Sequence, residues 1–409
     1  MRSKIITVYL SCITLLIHAQ LKQGDWRGVL LLNKEKALEL PFNFDIKIIE
    51  QTTVLTIHNA QERITVNETV LTKDSFNFKM PVFDTEFRTK LTGDTLLTGV
   101  WINHTKKENK AISFTAKFGK ANRFIIAQEK PSVFYAGKWE VTFSPNTSDS
   151  SKAIGMFKQV PGTNVLEGTF LTETGDYRYL EGTESGDKLY LSCFDGSHAF
   201  LFTATHNEKG TINGVFYSGS TWQEPWTGKR NKAFELRDAE KLTYLKDPDQ
   251  VINFSFKNSS NQTVSLSDEK FKNKVIIIQI MGSWCPNCMD ETAYLTTVYK
   301  QYNKRGFEVI GLAYERTDNF EKAKNNILRL KNRFGVDYEI LITGLTGKDK
   351  ASESLPFLNG IMAFPTTLIL DKYHKVKSVY TGFNGPATGK AYEAYTIKTE
   401  NLINELLKY

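Results

Sequence analysis

The sequence predicts a multidomain protein: a β-rich N-terminal region of two repeated antiparallel β-barrel or sandwich units, then a C-terminal α/β domain. Three observations carry that reading. A chain of 409 residues is too long for one ordinary hydrophobic core. Up to about residue 247, short runs of alternating polar and apolar residues lie between Gly, Asn and Asp turns. After Tyr244-Leu245-Lys246-Asp247-Pro248-Asp249 the period changes, and apolar runs alternate with amphipathic stretches. The composition, 41% apolar and 24% charged, is that of a globular chain. A net charge of +7 without any long basic block argues against nucleic-acid binding and against a polybasic membrane anchor.

Residues 1–19 read as a secretory signal peptide. Arg2 and Lys4 precede the apolar run Ile5 to Ile17, and Ile17-His18-Ala19 resembles a cleavage site. The run is too short to span a bilayer. Cys12 lies inside it, and Tyr9-Leu10-Ser11 fits a lipidation box poorly. The expected location is outside the cytoplasm, in the periplasm or cell envelope. Without the leader only Cys193, Cys285 and Cys288 remain, too few for a disulfide-stapled scaffold.

The next elements are short strands such as Phe76 to Met80 and Lys188 to Ser192. Three motifs recur in the same order at a spacing of about 113 residues, the mark of a repeated unit. Gly24-Asp25-Trp26 returns as Gly137-Lys138-Trp139, Phe83-Asp84 as Phe194-Asp195, and Thr98-Gly99-Val100-Trp101 as Asn213-Gly214-Val215-Phe216. The expected units are residues 20–132 and 133–246; the other reading is one large β domain. Cys193 is expected in a core, and Trp222 with Trp226 as either packing residues or a binding platform.

From residue 247 to 409 the elements alternate. Val275-Ile276-Ile277-Ile278-Gln279-Ile280 suits a strand buried on both faces. An amphipathic stretch from Cys288 to about Lys304 follows, then a strand Glu308 to Ala313 and a helix Asn319 to Phe334. Strands Pro365 to Leu370 and Val376 to Tyr380 and a helix Thr396 to Leu407 close the chain.

Trp284-Cys285-Pro286-Asn287-Cys288 stands where the first of these strands ends and a helix begins. Free backbone N–H groups and the positive helix end favour a thiolate there. Cys285 is the expected attacking nucleophile and Cys288, one turn along, the resolving thiol. Pro286 suits the first helical turn, and Trp284 covers one side of the pair. A zinc site lacks a second close Cys/His pair, so no metal is expected. A purely structural disulfide is disfavoured because so short a loop restrains the unfolded chain little.

With these residues in view, the stretch from about Asp249 to Tyr409 resembles the TlpA/ResA-like thiol–disulfide oxidoreductases of the thioredoxin superfamily. The resemblance rests on Asn253-Phe254-Ser255-Phe256, Val264-Ser265-Leu266, Trp284-Cys285-Pro286-Asn287-Cys288 and Phe364-Pro365-Thr366-Thr367. It implies a thioredoxin-like fold, with Pro365 as a cis-proline facing the cysteines and Phe364 offering its backbone to a substrate strand. It also implies a catalytic part for Glu291 beneath Cys288, against the simpler reading of a first-turn Glu favoured by the helix dipole. Trp284, Pro286, Asn287 and Phe364 line the implied site. Disulfide-bonded protein substrates and an upstream membrane thiol donor follow from the same resemblance, with no cofactor. Phe364 is bulkier than the residue usual before that proline. Glu315 is a further residue within reach of the site.

Three functions are therefore open: a disulfide reductase of the cell envelope, a binding module whose β domains recruit a ligand or partner, and a peroxiredoxin-like peroxidase. Gly282 stands where peroxidases usually carry an activating threonine, which weakens the third.

Overall fold

Alternation of inward apolar and outward polar side chains builds the N-terminal half, as in Thr85–Thr92, where Thr85, Phe87, Thr89 and Leu91 point inward. The computed structural model describes residues 21–119, 122–127, 129, 134–208 and 210–408. The leader and Cys12 lie outside them. Among the described residues no helix is long and apolar enough to cross a membrane.

The first nine strands form one antiparallel sheet in which Gly24–Asn33 pairs with both Leu38–Ile49 and Ala111–Phe118. The sheet curls, and Thr69 Oγ1 donates to the Thr53 carbonyl at 2.5 Å near its open seam. A second antiparallel sheet closes completely. Gly137–Phe143 pairs with Ser151–Gln159 and Trp222–Arg230, and Ser151–Gln159 pairs onward with Val165–Thr172. Both interiors are filled by aromatic rings. Phe78 stacks on Phe87 at 4.5 Å in the first, and Phe202 on Phe216 at 4.4 Å in the second.

Two of the three recurring motifs share their geometry in the two sheets, whereas Phe83 lies in a loop and Phe194 ends a strand. Gly24 and Gly137 open the first strands with φ of +119° and +122°, which favours glycine. Trp26 Nε1 donates to the Lys22 carbonyl at 3.0 Å, and Trp139 Nε1 to the Tyr135 carbonyl at 2.7 Å, each four residues back. Gly99 and Gly214 each sit against the preceding strand: a Cβ would lie 2.0 Å from the Arg88 carbonyl oxygen and 2.4 Å from that of Thr203. The barrels share a core, since Phe194 of the second stacks on Phe42 of the first at 4.7 Å. Cys193 is fully buried in the second barrel, and burial pushes its thiol pKa well up. Trp226 is buried while Trp222 is 57% exposed, so the two form no common platform.

The C-terminal domain has a seven-stranded mixed sheet. Phe307–Ala313 runs parallel to both Val275–Met281 and Glu339–Ile342, while Thr366–Leu370 is antiparallel to Val275–Met281. Every residue of Val275–Met281 is buried. Ile276, Ile278 and Ile280 face one apolar cluster, and Val275, Ile277 and Met281 face another that includes Leu295 and Val298 of helix Pro286–Tyr302. Helix Phe320–Phe334 starts at its Asn319 cap, whose side chain accepts from Lys322 N–H, and ends at Gly335 in the left-handed region. The closing helix is Lys390–Leu406, longer than the sequence period suggests, and a short helix Gly347–Ser354 appears that the pattern did not announce.

Gly99→Ala and Gly214→Ala should each lower stability by about 1–3 kcal/mol, because the added methyl meets backbone. Urea midpoints followed by tryptophan fluorescence check this; an unshifted midpoint in both variants contradicts the close packing described.

Candidate active site

The strand Val275–Met281 ends at Gly282 and hands the chain to the helix that begins at Pro286. Cys285 is the helix N-cap, and its Sγ accepts from the Cys288 N–H at 3.3 Å. The Cys285 thiol donates to the Phe364 carbonyl at 3.4 Å, and the Phe364–Pro365 bond is cis. Both cysteines are free thiols; Cys285 is 7% exposed and Cys288 fully buried. Burial, then the hydrogen bond and charge of Cys285, push the Cys288 pKa well up. One thiol is thus held at the helix end and the other is kept protonated beneath it.

Glu291 is fully buried, not a solvated first-turn residue. Its carboxylate accepts from Thr367 Oγ1 at 2.6 Å, Tyr395 OH at 3.1 Å and Gln279 Nε2 at 2.9 Å. Burial raises its pKa to about 7, against the pull of these three donors. Gln279 also donates to the Cys288 carbonyl at 3.2 Å, which ties the carboxylate to the resolving cysteine. Glu315 turns inward and accepts from Ser283 N–H at 2.7 Å, Ser283 Oγ at 2.6 Å and Asn326 at 3.1 Å. It therefore fixes the segment entering the motif from behind.

Trp284 Nε1 donates to the Tyr314 carbonyl at 2.9 Å, and its ring meets Phe364 edge-on at 5.6 Å. A Cβ at Gly282 would lie 2.3 Å from Trp284 Nε1, so a threonine has no room there while the indole keeps its place.

The barrels reach this site. Asn287 Nδ2 donates to the Asp176 carbonyl at 3.1 Å, and Ser197 Oγ to the Trp284 carbonyl at 3.3 Å. Gly385 N–H donates to Asp176 Oδ2 at 2.6 Å. Arg178, with φ of +57°, sends a buried guanidinium to the Pro286 carbonyl at 3.1 Å. It also pairs with Asp290 of the same helix, Glu62 of the first barrel and, at 3.3 Å, Asp195. Burial opposes its charge, but these carboxylates outweigh burial and hold it protonated. Burial lifts Asp290 and Asp176 to about 6, whereas His198 and Arg178 overcome burial at Asp195 and settle it at about 2.

The structure thus gathers Trp284, Cys285, Pro286, Asn287, Cys288, Glu291, Phe364 and Pro365 at one place. Gln279, Tyr395 and Arg178 are additions. Gln279 had a signal, as the single polar residue in an otherwise apolar strand; the others had none, because their partners lie about a hundred residues or more away.

The redoxin family model matches residues 246–395. That domain is a member of the thioredoxin superfamily. The thiol-disulfide oxidoreductase ResA of Geobacillus thermodenitrificans is 30% identical over 112 residues, 27% of this chain and 57% of that protein. The ResA of Halalkalibacterium halodurans is 23% identical over 134 residues, 33% of this chain and 68% of that protein. A crystal structure of a putative thiol:disulfide interchange protein DsbE from Chlorobium tepidum aligns at 18% identity and a TM-score of 0.31, covering 40% of this chain and 99% of that one. The chain thus spans little more than half the length of the first of these relatives. The redoxin match begins at residue 246, after both barrels.

Two outcomes follow. The folded protein keeps a proton on Glu291 that the unfolded chain releases between about 4.5 and 7. The resulting stability is complete below that window and is lost across it as pH rises, amounting to about 3 kcal/mol. Glu291→Gln should remove that share of the slope, read as urea midpoints from pH 5 to pH 8; an unchanged slope counts against it. Arg178→Met should leave its carboxylates uncompensated, costing on the order of 3–5 kcal/mol at the domain contact. Hydrogen exchange at the Gly385 amide should then speed up about a hundredfold or more, and native-like protection would refute the contact's role.

Proposed function

We propose that this chain is a thiol–disulfide oxidoreductase of the cell envelope that reduces protein disulfides. The observation that carries the reading is the Cys285 sulfur at a helix N-cap, 3.3 Å from the Cys288 N–H and 3.4 Å from the carbonyl before cis-Pro365. In this mechanism the Cys285 thiolate attacks a substrate disulfide sulfur, forming a mixed disulfide and releasing one substrate sulfur, which takes a proton. Cys288 then gives up its proton and attacks Cys285 Sγ, releasing the second substrate thiol. Two electrons and two protons pass to the substrate, and Cys285–Cys288 is left as a disulfide. Glu291, with a pKa near 7 and within electrostatic reach of the Cys288 thiol, is suited to accept the Cys288 proton. Pro365 and the Phe364 backbone form the wall along which an extended substrate lies. An external thiol donor, membrane-borne by analogy with the family, restores the dithiol. The leader reading at residues 1–19 supports export to the periplasm or envelope.

We read residues 20–132 and 133–246 as copies of one unit, supported by the paired glycine and tryptophan geometries. Their contacts with Pro286, Asn287 and Trp284 favour a part in shaping access to the thiols over an unrelated ligand-binding task.

Reduction of a disulfide peptide by the dithiol-loaded chain should vanish in Cys285→Ser. Cys288→Ser should instead accumulate a mixed disulfide at Cys285, visible by mass spectrometry. Full turnover in Cys285→Ser would falsify the assignment.

A further inference from the structure

Three cations stand around Trp284 and the Met362–Phe364 segment, one of them from the first barrel. Arg316 follows the strand that ends at Ala313, and its guanidinium lies 4.1 Å above the Trp284 ring. Its neighbour Glu315 is turned inward to Ser283 and Asn326. Lys106 comes from the first barrel, beside the Asn103–Thr105 segment that meets Trp284 and Ser283 around a small hollow. Lys348 Nζ donates to the Met362 carbonyl at 3.3 Å, two residues ahead of Phe364. Among the described residues none of the three forms an ion pair, although other lysines of these domains do, as Lys322 does with Asp84 at 3.4 Å. Partial burial and the nearby Arg316 charge both work against the charged form of Lys106. Arg316 is itself within electrostatic reach of Cys285. Glu315 attracts Arg316 without an ion-pair contact, and the positive field that remains beside the reactive sulfur is one that an incoming anionic group relieves.

We propose that the redox site selects acidic polypeptides, with Arg316, Lys106 and Lys348 receiving carboxylates that flank the substrate disulfide. The inference rests on the redox reading above and adds the class of substrate. Arg316 is the centre of the patch, since it alone stacks on the motif's own tryptophan. Half-exposed pairs are individually weak, so the discrimination comes from several acting together and is screened by salt.

The test uses the full chain and two peptides with one internal disulfide, identical except for Glu or Lys on both sides of the cysteines. The Glu-flanked peptide should be reduced with a kcat/KM about tenfold higher at low ionic strength, and the gap should close near 0.5 M salt. Arg316→Glu, alone and with Lys106→Glu, should reverse the order. A wild-type chain that reduces both peptides equally overturns the substrate assignment and leaves the redox reading intact. A preference for the Glu-flanked peptide that survives charge reversal also overturns it. A chain that reduces neither peptide overturns both readings.

Discussion

The Arg178 guanidinium is the buried charge at which both barrels meet the C-terminal domain. It belongs to the second barrel, pairs with Glu62 of the first and with Asp290 of the redox helix, and donates to the Pro286 carbonyl between the cysteines. A buried cation is expensive to desolvate, and even a well-paired one adds little net stability. Its value lies in geometry. Its two terminal nitrogens reach acceptors in the first barrel and on the CxxC helix only when both are correctly docked, so misdocked arrangements leave charge uncompensated. The backbone is adapted to this end: Arg178 sits at positive φ, and its N–H is held by Asp176 Oδ1.

The barrel interiors are packed with aromatic rings. Phe170 stacks on Phe202 at 4.6 Å, Trp226 meets Phe170 at 5.3 Å, and similar ring pairs fill the first barrel. Side chains that close-pack a barrel leave its centre as a core, so any working surface lies at rims and loops. Those loops are at the redox motif, where Asp176 grips Asn287 and Gly385 and Ser197 meets Trp284.

Local pattern made much of this legible. Strand Val275–Met281, the CxxC helix, the cap at Asn319 and the repeated Gly-x-Trp motif all follow from periodicity and from residues adjacent in sequence. The parts that could not be read are contacts between distant segments. Nothing near Asp176 or Arg178 in sequence points to a helix more than a hundred residues later. Trp222 and Trp226 show the same limit: both sit on one strand, but Trp222 lies at its hairpin end opposite Ser218, and only Trp226 reaches the core. The start of the closing helix carries no local signal, because Gly389, at φ of +56°, precedes it without a side-chain cap.

On the duplicated-unit reading, a consequence follows for how the site is enclosed. The loop after Lys79 in the first barrel and the loop after Phe194 in the second are equivalent positions, and both arrive at Trp284. They have diverged in chemistry. The first brings Val82 and Phe83 into the apolar cluster that holds both cysteines. The second brings Asp195, Ser197 and His198, which carry the ionic hub and a hydrogen bond to the motif's backbone. One copy therefore supplies apolar cover for the thiols, and the other fixes orientation through charge. A single barrel offers that loop only once. Two copies around a shared core place an apolar and a polar version on the same tryptophan, whose ring also carries the Arg316 guanidinium.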